Sequence, residues 1–335
     1  MTFLSKNRTG LLLVFLATAL LALCISGCGY DRSSKLKVRV GYFPNITHIQ
    51  AVVGLSDGAF EKSLGKNVQI EKKIFNAGPA EIEAFMSGKL DIGYIGPVPA
   101  INCFSKTKGG IKIIGGACNN GALLLTTVSS RIKSVSDLSG KKIAVPQFGN
   151  TQDIILRRFL KQNNLKTSDR GGTVKVIQSE NANILTLLER GHIDAALVPE
   201  PWGSMIENRV KVNRLIDADN LFDGNKYSTT VIIASKKFMQ EHPEVLKKWM
   251  TTHEEITQSI KRDSPRYLEL FMSEIKKLTG RSPVKKEIDS AMKNVDLDSD
   301  ISAVSIQNYI DYMYETKVIS DKVSLDELLD KDYAN

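Results

Sequence analysis

The sequence lacks most of the motifs that carry enzymatic or metal chemistry. It has only four cysteines and four histidines among 335 residues, and the histidines are isolated from one another and from the cysteines. It has no Gly-Lys-Ser/Thr phosphate loop, no Gly-x-Ser-x-Gly turn and no His-Glu-x-x-His motif. These absences argue against a P-loop nucleotidase, a nucleophile-elbow hydrolase and a motif-based zinc site, so we expect no metal and no cofactor.

Positive charge is not concentrated in any one segment. The chain has 45 Lys and Arg against 37 Asp and Glu, a formal net charge of +8. The basic residues form no stripe and do not alternate with aromatic residues, as they do in many single-strand binders. We therefore expect no nucleic-acid partner, although a mild positive excess favours an anionic membrane surface.

The first residues are typical of a secretion signal. Lys6 and Arg8 precede an apolar run of thirteen residues, Leu11–Leu23. This run is short for a bilayer span and suits the apolar region of a signal peptide. An N-terminal membrane anchor that is never cleaved is the alternative.

The signal ends in a motif similar to a bacterial lipobox. Ile25-Ser26-Gly27-Cys28 places two small residues before a cysteine. Cys24, the other cysteine of this N-terminal segment, directly follows the bulky Leu23 and is a poorer acceptor. We expect residues 1–27 to be a lipoprotein signal peptide, Cys28 to be lipidated and residues 28–36 to form a tether. The protein would then be lipid-anchored at the outer face of the bacterial cytoplasmic membrane or at the periplasmic membrane surface.

Two cysteines, Cys103 and Cys118, remain for the mature chain. Outside the cytoplasm they could be bridged or free, and spacing alone does not show whether their Cα atoms are close enough for a disulfide.

One unit occurs twice along the chain. Residues 76–99 predict a turn, an amphipathic helix, a glycine stop, a buried strand and a proline turn, and residues 181–202 repeat this order. Gly88, Leu90 and Asp91 of the first unit correspond to Gly191, Ile193 and Asp194 of the second. A strand and small-residue turn precede each copy, so we predict two similar α/β lobes.

Strands and helices alternate from residue 37 to residue 234, after which the pattern becomes helical only. The alternation favours parallel sheets covered by helices. In the tail, Pro243, Pro265 and Pro283 are each placed to begin a helix. We assign Trp249 and Met313 of these helices to core packing.

Five turns that follow predicted strands are candidates for a binding site, because ligands of open α/β sheets bind beyond the carboxyl ends of strands. They comprise residues 43–48, 76–79, 96–97, 147–152 and 199–202. All are rich in small residues, none contains Lys or Arg, and each leads into a helix whose first N–H groups are unpaired. Together they would bind an anion without a cationic side chain, whereas any one alone is better explained as an ordinary capped turn.

These same segments resemble a known family. Gly41-Tyr42-Phe43-Pro44-Asn45-Ile46-Thr47-His48, Gly78-Pro79, Gly96-Pro97, Gly149-Asn150-Thr151 and Pro199-Glu200-Pro201-Trp202 are similar to motifs of the solute-binding proteins of ABC importers for nitrate, taurine and aliphatic sulfonates. The related pyrimidine-precursor binding proteins share this plan. The resemblance covers residues 37–234.

The resemblance implies an α/β, two-lobed type II periplasmic-binding-protein fold, with each lobe a mainly parallel sheet flanked by helices and with a helical C-terminal extension. Lobe 1 would comprise residues 37–122 and 232–335, and lobe 2 residues 123–231. Two strands near residues 122–128 and 228–234 would cross between the lobes, and a solute would bind in the cleft. The implied partners are an ABC permease with its ATPase, and we expect a monomer.

Our candidate ligand-binding residues combine the turns with the family's cleft positions. They are Asn45, Thr47, His48, Gly78, Pro79, Gly96, Pro97, Cys118, Gly149, Asn150, Thr151, Glu180, Glu200 and Trp202. Cys118 is included because it follows a predicted strand end, and a thiol there would suit a softer ligand than a simple sulfonate. Glu200 would either bond the ligand or pair with a residue across the hinge.

The main hypothesis is therefore a lipid-anchored receptor for a small organic anion that is sulfonate-, taurine- or nitrate-like. The alternative is an extracytoplasmic enzyme or thiol-dependent binder that uses Cys118 or Glu200. A sensor module would differ only in its partner.

Overall fold

The computed structural model describes residues 35–216, 220–222 and 226–333. The predicted signal peptide and Cys28 lie outside these residues, as does the tether up to residue 34. Signal cleavage and lipidation therefore stay predictions. Among the described helices, none combines the length and the apolar character of a membrane span.

The described residues form eleven strands. They are β1 (Leu36–Tyr42), β2 (Val68–Ile74), β3 (Ile92–Ile95), β4 (Ile111–Asn120), β5 (Ala122–Thr127), β6 (Lys142–Val145), β7 (Lys175–Gln178), β8 (Ala195–Pro199), β9 (Val212–Ile216), β10 (Ser228–Ser235) and β11 (Val295–Leu297). One sheet has the order β11-β4-β10-β3-β1-β2 and the other β7-β6-β8-β5-β9. We call these sheets, with the helices that cover them, lobe 1 and lobe 2.

The described residues also form thirteen α-helices. They are α1 (Ile49–Ser56), α2 (Ala59–Leu64), α3 (Gly78–Met86), α4 (Pro97–Thr107), α5 (Thr151–Gln162), α6 (Asn181–Glu189), α7 (Trp202–Arg209), α8 (Lys236–Glu241), α9 (Pro243–Arg262), α10 (Ser264–Thr279), α11 (Lys285–Met292), α12 (Ala303–Glu315) and α13 (Leu325–Leu328). A short 3-10 helix, Ile46–His48, precedes α1.

The duplicated architecture is confirmed at the level of hydrogen bonds. Asp91, just before β3, accepts a bond from the backbone N–H of Arg39 at 2.8 Å. Asp194, just before β8, accepts the same bond from Lys142 at 2.8 Å. The parallel pairing also repeats, because Val40 opposite Ile92 in lobe 1 corresponds to Ile143 opposite Ala195 in lobe 2.

The two sheets are mixed, whereas we predicted them to be mainly parallel. Strand β10 runs antiparallel to both β3 and β4, and β5 runs antiparallel to both β8 and β9. Each of these strands is the first of its sheet to follow a crossing from the other lobe. The alternation seen in the sequence therefore describes only part of each sheet.

The first crossing between the lobes is one residue long. Strand β4 ends at Asn120, β5 begins at Ala122, and Gly121 between them has φ +81°. The second crossing ends where β10 begins, at Ser228, because β10 belongs to the sheet of lobe 1. Residues 228–231 therefore lie in lobe 1 and not, as predicted, in lobe 2.

The tail packs mainly on lobe 1. Helix α9 packs against α1 and α2, and its Trp249 is fully buried and stacks on Phe60 with ring centroids 3.8 Å apart. The predicted core role of Trp249 is confirmed. The tail is not purely helical, however, since β11 pairs with β4. Strands β9 and β11 were not predicted from the sequence. Strand β11 has only three residues, which is too short to show a clear alternation.

Candidate functional site

A cavity lies between the lobes, at the carboxyl ends of β1, β3, β6 and β8. Its lining residues come from both lobes. They are Phe43, Asn45, Thr47, His48, Asn76, Ala77, Gly78, Gly96, Pro99, Pro146, Asn150, Thr151, Gln152, Asn181, Pro199 and Thr229. All five predicted turns contribute at least one residue, as expected for open α/β sheets.

The structure separates the predicted site residues into two groups. Those that line the cavity are Asn45, Thr47, His48, Gly78, Gly96, Asn150 and Thr151. Those outside the lining are Pro79, Pro97, Cys118, Gly149, Glu180, Glu200 and Trp202. The second group includes residues next to lining residues, so the turns are placed correctly while individual side chains point elsewhere.

Asn181 is a lining residue that our sequence reasoning missed. It is the first residue of α6, as Gly78 is the first residue of α3. Gly78 lies ten residues before Gly88, and Asn181 lies ten residues before Gly191. The repeat therefore carried the signal for Asn181. Thr229 had no comparable signal, because the pairing of β10 brings it to the cavity.

The starts of four helices, two from each lobe, meet at the cavity. Gly78 begins α3, Gly96 precedes α4, Thr151 begins α5 and Asn181 begins α6, and all four residues are in the lining. Each helix N-terminus carries roughly half a positive charge from its aligned peptide dipoles. The described lining includes no Lys or Arg, so the positive potential comes from the backbone.

Three of these helix starts have no side-chain cap. Helices α3, α4 and α6 lack a capping hydrogen bond from the residue that precedes them. Helix α5 is capped, because the Asn150 side chain accepts a bond from Asp153 N at 2.9 Å. Prolines at positions 79, 97 and 99 remove three donors, so the first turn of α4 offers chiefly the N–H of Val98.

Two buried side-chain oxygens in the lining have no partner within the protein. They are Thr151 Oγ1 and Asn181 Oδ1, on residues that are 2% and 7% exposed. Leaving such a group unpaired costs about 1–3 kcal/mol. Both atoms lie at helix starts in lobe 2, where the Thr151 hydroxyl can donate to an oxygen of a solute and Asn181 Oδ1 can accept only from a donor.

His48 is neutral and buried against the wall of the cavity. Its ring lies 4.4 Å from that of Phe43, centroid to centroid, and its Nδ1 accepts a bond from Phe43 N at 3.4 Å. Burial lowers the pKa of His48 to about 3. Since Nδ1 is an acceptor, the proton lies on Nε2, and His48 can contribute a neutral donor but not a charge.

Trp202 and Glu180 join the lobes at the edge of the cavity. Trp202 Nε1 donates to Asn45 Oδ1 at 2.9 Å, and Asn76 Nδ2 donates to Glu180 Oε1 at 2.8 Å. Trp202 is buried and makes no part of the lining. In this geometry both side chains therefore hold lobe 1 against lobe 2.

Glu200 is also a contact between lobes. Its carboxylate is fully buried and accepts bonds from Ser204 N at 2.9 Å, Ser204 Oγ at 2.8 Å and Asn294 Nδ2 at 2.6 Å. Burial raises the pKa of Glu200, and the bonds from Ser204 and Asn294 oppose that rise. Asn294 lies in the tail beside β11, so of the two roles we left open the structure favours pairing across the lobes.

Cys118 is inside a strand and not, as predicted, beyond its end. Strand β4 continues to Asn120, and the buried Cys118 thiol donates to Asn119 O at 3.3 Å. Cys103 and Cys118 are both free and buried. Burial raises the pKa of both thiols, that of Cys103 to about 12. Neither is a reactive thiolate, which argues against the thiol-dependent alternative.

We expect both thiols to react slowly with alkylating reagents in the native protein. Iodoacetamide should label Cys103 and Cys118 only after unfolding in urea, and adding a solute should leave both rates unchanged. Mass spectrometry of native and unfolded samples checks this. If Cys118 is instead labelled rapidly in the native protein, and a solute slows that labelling, Cys118 would be a residue of the binding site.

The cavity is narrow in this conformation. Its volume is about 20 Å³, which suffices for about one water molecule. A solute of several heavy atoms can enter only if the lobes move apart, because lobe 1 and lobe 2 supply opposite walls. Among the described residues, no cluster of three His, Cys, Asp or Glu side chains is arranged to hold a metal.

The model of the NMT1-like family matches residues 31–267, well over half of the sequence. The chain belongs to the NMT1-like family. This NMT1-like chain is 30% identical to a protein of Brucella abortus (strain 2308) named as a binding protein. That match covers 67% of this chain and 66% of the relative, slightly under two thirds of its length.

A second relative matches the NMT1-like chain over nearly its whole length. It is a Bacillus subtilis (strain 168) protein named "Putative aliphatic sulfonates-binding protein", 25% identical over 97% of this chain and 96% of the relative. Among solved structures, the alkanesulfonate-binding protein SsuA from Xanthomonas axonopodis pv. citri, bound to MOPS, superposes with a TM-score of 0.72. It is 19% identical, with 88% of this chain and 98% of that one covered. The periplasmic-binding fold predicted from the sequence is confirmed.

Proposed function

We propose that this NMT1-like protein is an extracytoplasmic receptor that captures a small organic anion and delivers it to an ABC permease. The observation that carries the proposal is the meeting of uncapped helix N-termini from two lobes at one cavity. A site divided in this way binds its solute by closure, and the closed shape is what a permease can recognise.

Backbone groups alone can supply the affinity that such a receptor needs. Each helix terminus contributes roughly 0.3–1 kcal/mol to anion binding when exposed and up to ~2 kcal/mol when partly buried. Charge-assisted hydrogen bonds add roughly 1.5–3 kcal/mol each. Three or four termini and a few such bonds reach the order of 8 kcal/mol, which corresponds to a micromolar dissociation constant.

Sulfonates are the solute class that we propose. A sulfonate has three acceptor oxygens and one delocalised charge, which suits several N–H donors converging from different helices. Two similar proteins carry sulfonate or alkanesulfonate in their names. Phe43, Ala77 and Pro99 give the lining apolar surface, against which the carbon chain of an organic sulfonate can pack.

The site supports binding without turnover. The one ionisable side chain in the described lining is His48, whose Nδ1 already accepts a backbone N–H. Among the lining hydroxyls, Thr229 Oγ1 donates to Asn120 O and Thr151 Oγ1 has no partner, so neither is paired with His48, and no Ser or Cys is among these lining residues. Other parts of the proposal, a monomeric receptor and lipid attachment through Cys28, rest on the sequence.

Isothermal titration calorimetry with ethanesulfonate tests the function. We expect one solute bound per chain with a dissociation constant near 1 µM, and no change in the solute by NMR after prolonged incubation. Conversion of ethanesulfonate into a product would favour an enzyme. Absence of binding at millimolar concentrations would reject sulfonates as the solute class.

The lipid anchor gives a separate prediction. Cys28→Ala removes the thiol that would receive the lipid, so the protein should leave the membrane fraction while its solute affinity stays the same. Fractionation of cells expressing the full chain, with Cys24→Ala as the matched control, measures this. Membrane retention of the Cys28→Ala protein equal to that of the parent would contradict the lipobox.

A further inference from the structure

We propose that the chain has a second anion site, outside the cleft, which binds the phosphate group of an organic phosphate. The site is an open pocket of about 420 Å³ between α5 and the end of α12, which we call the α5–α12 pocket. Its volume lies within the range of small-molecule sites, roughly 300–1,000 Å³. The inference does not depend on which solute the cleft binds.

The walls of the α5–α12 pocket come from two parts of the fold. Lobe 2 supplies lining residues between positions 157 and 170, and the tail supplies those between 312 and 317. The tail wall is attached to lobe 1, because α12 packs against α4. The pocket shares no lining residue with the cavity of the cleft. On α5, Lys161 lies ten residues after the cleft residue Thr151, about 15 Å along the helix axis.

Positive charge dominates the lining of this pocket. One lining residue is acidic, Glu315, and five are basic, namely Arg157, Lys161, Lys166, Arg170 and Lys317. Asp153 and Asp169 both pair with Arg157, each at 2.8 Å. The five cations therefore still exceed Glu315 and these two carboxylates by two charges.

Three of the five cations are available to an incoming anion. Lys166, Arg170 and Lys317 are exposed, and none of them forms an ion pair among the residues that the structure describes. The Arg170 guanidinium reaches Thr316 O only at 3.5 Å, which is long for a hydrogen bond.

Lys161 is held only weakly by its partner across the pocket. Its Nζ lies 3.4 Å from Glu315 Oε2, and the two side chains are 59% and 62% exposed. Exposed pairs of this kind contribute little to stability. Lys161 can therefore turn from Glu315 towards an anion of higher charge.

An organic phosphate matches both the charge and the apolar part of the lining. A phosphomonoester carries about −1.5 to −2 charges at neutral pH and has three acceptor oxygens. The planar guanidinium of Arg170 can bind two of these oxygens, while the lysines act as point charges. Leu165 and the buried Tyr312 offer apolar surface to the organic part.

The ionisation of Tyr312 reflects the same positive potential. Burial raises the pKa of its hydroxyl, and the positive charges of Arg170 and Arg157 oppose that rise. A group that the arginines stabilise in its anionic form lies in the wall of the pocket, so an anion placed there is stabilised by the same charges.

Calorimetric titration of the purified full chain with glycerol 3-phosphate is the first test. We expect binding with a dissociation constant of about 0.1 mM, the order that three charge-assisted bonds at an exposed site provide. Absence of binding at concentrations up to about 10 mM would overturn the inference. That result would leave the receptor function intact, because the cleft is tested with a different solute.

A double variant tests whether the phosphate occupies this pocket. Lys166→Gln combined with Arg170→Gln should weaken glycerol 3-phosphate binding by about tenfold or more. Lys175→Gln combined with Arg190→Gln is the matched control, because it removes the same charge from exposed positions of lobe 2 outside both linings. The control should change the affinity by less than about twofold. Equal affinities in the two double variants would place the phosphate elsewhere and overturn the inference.

Two sources present this chemistry, a free phosphate ester and an anionic lipid headgroup. Co-sedimentation with phosphatidylcholine vesicles, with and without phosphatidic acid, distinguishes them. If phosphatidic acid increases binding of the parent and of the control variant but not of the Lys166/Arg170 variant, the headgroup is a ligand of the pocket. If phosphatidic acid has no effect while glycerol 3-phosphate binds as expected, the ligand is a free phosphate ester. Both results support the phosphate site.

Discussion

Replacing Gly96 by valine should weaken solute binding by about 100-fold. A Cβ atom at Gly96 would lie 2.2 Å from Thr151 Oγ1 and 3.3 Å from Thr151 Cβ. Gly96 belongs to lobe 1 and Thr151 to lobe 2, so the collision occurs only when the lobes come together. Backbone strain plays no part, because Gly96 has φ −66°, which is open to any residue.

Thermal stability separates this effect from misfolding. The collision disappears when the lobes part, so the melting temperature of the Gly96→Val protein without solute should stay within a few degrees of the parent. Calorimetric titration with ethanesulfonate measures the affinity. An affinity equal to that of the parent would show that the lobes do not close over the solute at this point.

A matched pair of variants localises the cause. Gly96→Ala adds only the Cβ atom and should weaken binding less than valine does. The double variant Gly96→Ala/Thr151→Ala lacks the oxygen at 2.2 Å. It should bind the solute more tightly than the single variant Gly96→Ala, in which Thr151 is intact. Thr151→Ala alone gives the reference, since it also removes an unpartnered hydroxyl. Equal losses with and without Thr151 Oγ1 would contradict the proposed contact.

Acid should destabilise the protein strongly, because two histidines are buried in the neutral form. Burial lowers the pKa of His48 to about 3 and that of His253 to about 4. In the unfolded chain each takes up a proton near pH 6.5. The unfolded state therefore binds more protons below pH 6.5, and stability falls as the pH drops from 6.5 towards the folded pKa values. At pH 4 each histidine lowers the free energy of unfolding by on the order of 2–3 kcal/mol.

His253→Gln is the variant that tests this. His253 bonds Tyr94 OH at 3.0 Å and Gly116 O at 3.1 Å, and glutamine can keep a donor there without titrating. Urea unfolding at pH 7, 5.5 and 4 should show a smaller loss of stability with acid than in the parent, by about 2–3 kcal/mol. His192→Gln, at an exposed position, is the control. The same pH dependence in both variants would contradict the assignment.

Local patterns predicted the lobes well, because each lobe is built from short units whose signals lie close together in the chain. The helix from Gly78, the stop at Gly88 and the strand from Ile92 follow one another within 18 residues. The turn chemistry at Gly96 and Asn150 likewise depends on neighbouring residues. The mixed sheets were not predictable in this way, since the antiparallel direction of β5 and β10 depends on the crossings between lobes.

The site was predicted at the level of turns and less well at the level of side chains. Cys118 was misplaced because β4 extends to Asn120, where it pairs with β11 from a segment 175 residues later. Trp202 and Glu200 bond partners in lobe 1 and in the tail. Each of these side chains bonds a residue more than 90 positions away, which turn chemistry does not reveal, and Glu200 also accepts two bonds from the nearby Ser204.

The hydrogen bonds from Trp202 to Asn45 and from Asn76 to Glu180 have a consequence for the efficiency of transport. These contacts join the lobes without involving any atom of the solute. Every such contact stabilises the closed shape equally with and without bound solute. It therefore reduces the difference between the closed fraction of the solute-bound protein and that of the empty protein. If the permease responds to the closed shape, stronger contacts at these positions would let solute-free receptors stimulate ATP hydrolysis without transport. Weaker contacts would lower the affinity for the solute. The strength of these two bonds therefore sets a balance between tight capture and coupled transport.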